Sequence, residues 1–136
     1  MKVWKFFVLI LMMGCLFDVN AQTIRNKSNS IIGNIESNGT VRKSGNIVGR
    51  FESNGTIRNK SNSIVGKIES NGTIRDGRSN ILGKVESNGT VRSKMGSILG
   101  RIENNGTVRN SSSTIIGSAP GVSKRRTAVF FFFKLF

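Results

Sequence analysis

The chain has 136 residues, with 21 Lys and Arg against 7 Asp and Glu, one Cys, one Trp, no His and no Tyr, for a formal net charge of +14. A single Cys excludes a disulfide framework, and without His the usual general acid–base and metal chemistry lacks its main side chain. A balance this basic points either to anionic partners or to a solvated face that keeps a β-rich protein soluble.

Residues 1–21 carry Lys2 and Lys5, an apolar run from Phe6 to Phe17, then Val19, Asn20 and Ala21. That layout predicts a secretory signal peptide cut between Ala21 and Gln22. The run is shorter than the ~20 residues a bilayer-spanning helix needs. Cys15 sits inside it without a small residue two positions earlier, which argues against a lipoprotein signal. Export to the periplasm, cell surface or medium is therefore expected. The mature chain, 22–136, keeps 19 basic and 6 acidic side chains, a balance of +13, and loses the only Cys and Trp. Its stability must come from strand pairing and a core of Ile, Val, Leu and Phe.

From residue 31 one phrase recurs five times, as IIGNIESNGTVR, IVGRFESNGTIR, IVGKIESNGTIR, ILGKVESNGTVR and ILGRIENNGTVR. The step is 17 residues, once 16. So short a unit cannot bury its own apolar face, so the copies must share one core. Each has two β-branched stretches around Asn-Gly, a hairpin signature. A two-residue loop would set Ile35 against Arg42 and mix apolar with charged on both faces. A three-residue loop of Ser37, Asn38 and Gly39, with glycine in the left-handed conformation, sets Ile35 against Val41 and Glu36 against Thr40. This choice gives one apolar face, and it assigns Gly39, Gly55, Gly72, Gly89 and Gly106 as structural turn residues. Glu36 then reaches Arg42 diagonally, as in the other four copies.

Alternation places Ile31, Ile47, Ile64, Ile81, Ile98 and Ile115 on the inner face with Ile35. Gly33, Gly49, Gly66, Gly83, Gly100 and Gly117 also point inward, where chains crowd; a ligand channel is the sharper alternative. Between each Arg and the next Ile run polar loops, which hold most of the variation between copies. Arg25, Arg42, Arg58, Arg75, Arg92 and Arg109 would form a ring beside these loops and are the candidate anion-binding residues. The Asn-Gly-Thr triplets match a glycosylation pattern, but the turn explains them without glycans.

Six Thr-aliphatic-Arg segments and six Ile-aliphatic-Gly segments flank only five Asn-Gly turns, so the two ends are complementary halves of one unit. Pairing them closes the sheet and removes its edges. The expected fold is all-β: a closed ring of about five β-hairpins over 22–122, with a C-terminal hydrophobic strand packed on or in it and an N-terminal signal helix. A β-solenoid is the runner-up, but Asn-Gly reversals make antiparallel neighbours. Repeats of the MORN type share the hairpin but carry aromatics absent here.

The recurring IGxIExNGTVR unit after a signal peptide, with a basic-then-phenylalanine tail, resembles the bacterial five-fold β-flower proteins. The resemblance covers 23–136 and implies a fivefold arrangement of hairpins in a secreted or envelope protein. It carries over no catalytic or binding residues.

The tail, 123–136, holds Lys124, Arg125 and Arg126, then a Phe-rich run to Phe136. It reads as a final strand that plugs or covers the ring, as a membrane-surface anchor, or as a partner-binding or aggregation-prone strand. Spanning an outer membrane would take strands of 9–11 residues, longer than those here. No cofactor, metal or catalytic residue is expected. The leading reading is a non-enzymatic exported module, structural or binding, with acidic polysaccharide or anionic lipid as candidate partners. Nucleic acid is not expected for an exported chain. A membrane-surface protein anchored by its tail is the alternative.

Overall fold

The computed structural model describes residues 21–136. The expected signal helix lies outside them, and Ala21 opens the first strand, so the expected cleavage junction falls at that strand's start. Twelve strands follow in chain order: β1 Ala21–Asn26, β2 Ile31–Glu36, β3 Thr40–Lys43, β4 Asn46–Phe51, β5 Thr56–Asn59 and β6 Ile64–Ile68 in the first half. The second half holds β7 Thr73–Asp76, β8 Ile81–Val85, β9 Thr90–Ser93, β10 Ile98–Ile102, β11 Thr107–Asn110 and β12 Ile115–Ser118.

Each strand pairs antiparallel with the next, and β12 returns to β1, so the sheet is a closed barrel. The closing register sets Arg25 opposite Ser118 and Asn26 opposite Gly117. The five Asn-Gly hairpins are β2–β3, β4–β5, β6–β7, β8–β9 and β10–β11, and the two chain ends supply a sixth strand pair. Closure satisfies every edge that a five-hairpin fan would leave open.

The hairpin register is the one the side-chain pattern demands. Ile35 faces Val41, Phe51 faces Ile57, Ile68 faces Ile74, Val85 faces Val91 and Ile102 faces Val108. The turn amide of Gly39 donates to Glu36 O at 2.9 Å with Gly39 at φ +91°, a three-residue loop ending in a left-handed glycine. Each turn Asn side chain accepts from the backbone N–H two residues on, as Asn38 Oδ1 does from Thr40 at 3.0 Å. Gly39 O also accepts from Phe51 N at 2.9 Å, tying each turn to the next hairpin.

At the opposite rim five of the six loops run three residues between a bonded pair, three of them starting from an Asn, as at 26–30, where Asn26 Oδ1 accepts from Ser28 and Ser30 N–H at 3.0 Å. The one 16-residue step is explained here. Between β3 and β4 the loop is only Ser44 and Gly45, both at positive φ (52° and 82°), a two-residue type I′ turn.

One expectation is corrected. Ile31, Ile47, Ile64, Ile81, Ile98 and Ile115 point outward, between 45% and 62% exposed. A β-bulge after each breaks the alternation: Arg42 opposes Ile47 and Val41 opposes Gly49, leaving Val48 without a counterpart. The bulged residue turns inward to pack against the core, and the isoleucine before it shares the outer face with arginine.

Crossing two strands from Thr56 through Lys67 reaches Arg75, the counterpart of Arg58, so each strand pair advances the register by two residues. Over the closed sheet this accumulates to a stagger of about twelve, consistent with the strand tilt of roughly 35–45° usual in barrels. A twelve-strand wall is too wide for its own side chains to fill, especially with glycine on every even-numbered strand.

The tail fills it, as a helix rather than the expected strand. Helix α1 spans Lys124–Ala128 and continues as a π-helical turn over Val129–Phe133. Ser123 caps it, its hydroxyl accepting from Arg126 N at 3.1 Å, and Thr127 Oγ1 donates to Ser123 O at 2.9 Å. Lys134 ends it in the left-handed conformation at φ +46°, its N–H donating to Val129 O at 2.9 Å. A strand along the axis would leave its backbone N–H and C=O groups unpaired inside the apolar lumen; a helix bonds them internally and points side chains outward all round. Those side chains are what the inward glycines receive. Phe130, Phe131, Phe132, Phe133, Leu135 and Phe136 stand at Gly33, Gly117, Gly100, Gly83, Gly66 and Gly49 respectively. The tail thus plugs the ring as expected, and the glycines are spent on close packing rather than on an open channel.

Candidate anion-binding surface

The outer wall is where charge collects. Each hairpin ring arginine is held at two points. Arg42 Nε donates to Glu36 at 2.9 Å and its Nη1 to Gly45 O at 3.1 Å. Arg58, Arg75, Arg92 and Arg109 repeat this with Glu52, Glu69, Glu86 and Glu103 and with the carbonyls of Asn62, Ser79, Gly96 and Ser113. The guanidinium thus ties a hairpin's turn end to the following loop. Arg25 keeps only the loop contact, to Asn29 O at 2.9 Å, and has no ion pair among the described residues. Pro120 follows Ala119 where other units carry glutamate, and Ala119 N still bonds Gly106 O as Phe51 N bonds Gly39 O. The candidate ring therefore exists, with five of its six members committed to local structure. Such half-exposed pairs contribute roughly 0–1 kcal/mol each and fix register more than stability.

A second set of cations, which the sequence alone did not single out, stands directly opposite the first. Arg50 faces Arg58, Lys67 faces Arg75, Lys84 faces Arg92 and Arg101 faces Arg109. The signal was the residue after the inward glycine, basic in four copies and Asn34 in the first. Like charges directly across a ladder repel. Each glutamate can neutralise only one of the two. In the first pair Arg50 Nη2 and Arg58 Nε share Glu52, at 3.0 and 3.2 Å. The hydrogen bond from Arg50, joined by that from Arg58, holds the Glu52 carboxyl below the usual carboxylate range. Lys67, Lys84 and Arg101 are exposed and make no ion pair among the described residues.

The loop rim adds Lys27, Lys60, Arg78 and Lys94, all exposed, and Lys43, whose ammonium lies 4.9 Å from the centre of the Phe130 ring. Asp76 belongs to this rim, but its Oδ1 accepts from Asn80 and Arg78 N–H, both at 2.9 Å; these bonds, Asn80's first, lower its carboxyl.

The tail's basic triplet sits at the turn rim instead. Lys124 donates to Asn104 Oδ1 at 2.6 Å, Arg125 Nη1 to Glu69 O at 3.3 Å, and Arg126 stacks 5.2 Å from the Phe51 ring centre. Burial pulls the Arg126 guanidinium below its ordinary value. A cleft of about 260 Å³ between α1 and the turns of Ser53 and Ser70 is lined by Arg125 and Arg126. The turn glycines Gly39, Gly55, Gly72, Gly89 and Gly106 all have positive φ, 91–94°, as their assigned role requires.

Among the described residues no three His, Cys, Asp or Glu side chains gather as a metal site, and no helix is long and apolar enough to cross a membrane. A family model described as "5-fold beta-flower protein" matches residues 21–135. No match was found among curated proteins or among solved structures.

Proposed function

The chain belongs to the 5-fold β-flower family, and from that premise we propose that it is a non-enzymatic, exported binding module that holds anionic components of the bacterial envelope on its outer wall. One observation carries the reading: four consecutive hairpins set two cations directly opposite each other with one glutamate per pair, which binds Arg58, Arg75, Arg92 or Arg109. That arrangement is unfavourable in the isolated protein and becomes favourable when an anion bridges the pair. Export is read from residues 1–21, and the absence of catalysis from a sequence without His.

The test is binding of the purified mature chain to immobilised acidic polysaccharide across a salt series. Charge-driven binding weakens steadily as screening increases. Binding that ignores salt, or none at low salt, would remove this reading and leave a scaffold.

A second reading, association with a membrane surface, draws on the phenylalanines near the loop-rim mouth and on Lys43 and Lys134 beside them. Against a free tail anchor, the tail's aromatic side chains are spent on the glycines and its basic triplet on the turn rim. Flotation with vesicles of anionic phospholipid separates the two readings.

A further inference from the structure

We propose that the outer wall from β4 to β11 is a ladder for one linear acidic polysaccharide, whose anionic groups fall on successive cation pairs. This rests on the anion-binding reading above and names its ligand class and face.

The ladder has ends. In β2–β3 the residue opposite Arg42 is Asn34, and at the closing seam Arg25 faces Ser118, so the doubled cations occupy four strand pairs in succession and stop. A ligand that met one pair at a time would need no such run.

Spacing and curvature point the same way. Equivalent cations lie two strands apart with a two-residue advance, which gives roughly 12 Å between steps. A single phosphate group spans one step at most. A flat bilayer touches a cylinder along a line and reaches one or two steps, whereas a flexible polymer can follow the wall through all four.

Chemistry between the steps fits sugar rings. Ile64 lies opposite Arg58, Ile81 opposite Arg75 and Ile98 opposite Arg92, so an exposed apolar side chain separates each cation pair from the next. Pyranose rings present C–H faces between their charged groups and would pack on these isoleucines while carboxylates reach Lys67, Lys84 and Arg101. The glutamates do not compete, since Arg75, Arg92 and Arg109 already hold them.

The experiment uses the full mature chain, polygalacturonate as the polymer probe and phosphatidylglycerol vesicles as the lipid probe. Two triple variants carry the same change in net charge: Lys67→Gln with Lys84→Gln and Arg101→Gln on the ladder, and Lys27→Gln with Lys60→Gln and Lys94→Gln on the loop rim. All six side chains are exposed, and unchanged melting curves confirm that both variants fold. The ladder variant is expected to lose about tenfold or more in polygalacturonate affinity with a shallower salt dependence, the rim variant less than about threefold. Equal losses would overturn the ladder while leaving general anion binding intact. Vesicle binding without polymer binding would overturn it in favour of lipid, and no binding to either probe at any salt would remove both this inference and the reading beneath it.

Discussion

A β-carbon on Gly100 would lie 2.5 Å from Cζ of Phe132, and it would also meet the carbonyl oxygen of Arg109 in the neighbouring strand. The same double contact recurs at each inward glycine, with Phe131 at Gly117 and Phe133 at Gly83. Successive tail residues therefore meet successive strand pairs in reverse chain order around the barrel, and only Lys134 is skipped. It is exposed where the helix ends.

Gly100→Ala should cost roughly 1–3 kcal/mol, the range for overpacking a well-filled core. The carbonyl of Arg109 is sheet backbone and cannot yield easily, and the Phe132 ring is partly buried and packed against the core. Urea unfolding gives the number. An unchanged midpoint would mean that the tail does not seat against this strand.

Phe130→Ala removes a ring that is 6% exposed and should cost about 3–5 kcal/mol. Lys134→Ala, at the one position between Phe130 and Phe136 that meets no glycine, should stay within about 0.5 kcal/mol. Comparable losses at the two sites would contradict a plug that works by side-chain fit, and thermal melts of both variants decide it.

Much of this fold was written locally. The three-residue turns, the Ile35–Val41 register and the Glu36–Arg42 diagonal follow from keeping one face apolar, and closure follows from complementary half-units at the two ends. The outward isoleucines did not follow, because nothing in a run such as Ile-Val-Gly announces a bulge at its middle residue. The helical tail was hidden for a different reason: consecutive phenylalanines have strand propensity and no helical period. Counting would have helped, since six inward glycines equal six apolar residues among 130–136. The ladder cations were visible only as basic residues after glycine; their significance depends on the partner strand.

Two left-handed glycines should respond differently to alanine. At Gly96, φ +88°, no atom lies within 4 Å of the point an alanine methyl would occupy, so Gly96→Ala should cost only the backbone strain, about 1–2 kcal/mol. Gly55, φ +94°, faces the carbonyl of Ile68, whose N–H it also binds through its own carbonyl at 2.8 Å. Gly55→Ala should therefore cost roughly 1–3 kcal/mol more than Gly96→Ala. Equal effects in urea unfolding would mean that the turn does not press on the next hairpin.

Acid should loosen the barrel at two identified carboxylates. Both Glu52 and Asp76 have folded pKa values below their ordinary ones, Glu52 through Arg50 and Arg58, Asp76 through the N–H groups of Asn80 and Arg78. A lowered folded value means that the unfolded chain takes up protons first, so their contribution is full above the unfolded pKa and disappears as pH falls through the folded one. Asp76 offers the cleaner test, because Asn26, Asn59 and Asn110 make the same two backbone bonds from the equivalent position in other loops. Asp76→Asn should keep those bonds and melt like the parent near pH 7 while losing less stability on acidification. Melting temperatures from about pH 7 to about pH 3 measure the slope, with Glu52→Gln as a second case that also loses its charge-assisted bonds. Parallel slopes in parent and Asp76→Asn would show that the loop does not prefer the ionised carboxylate.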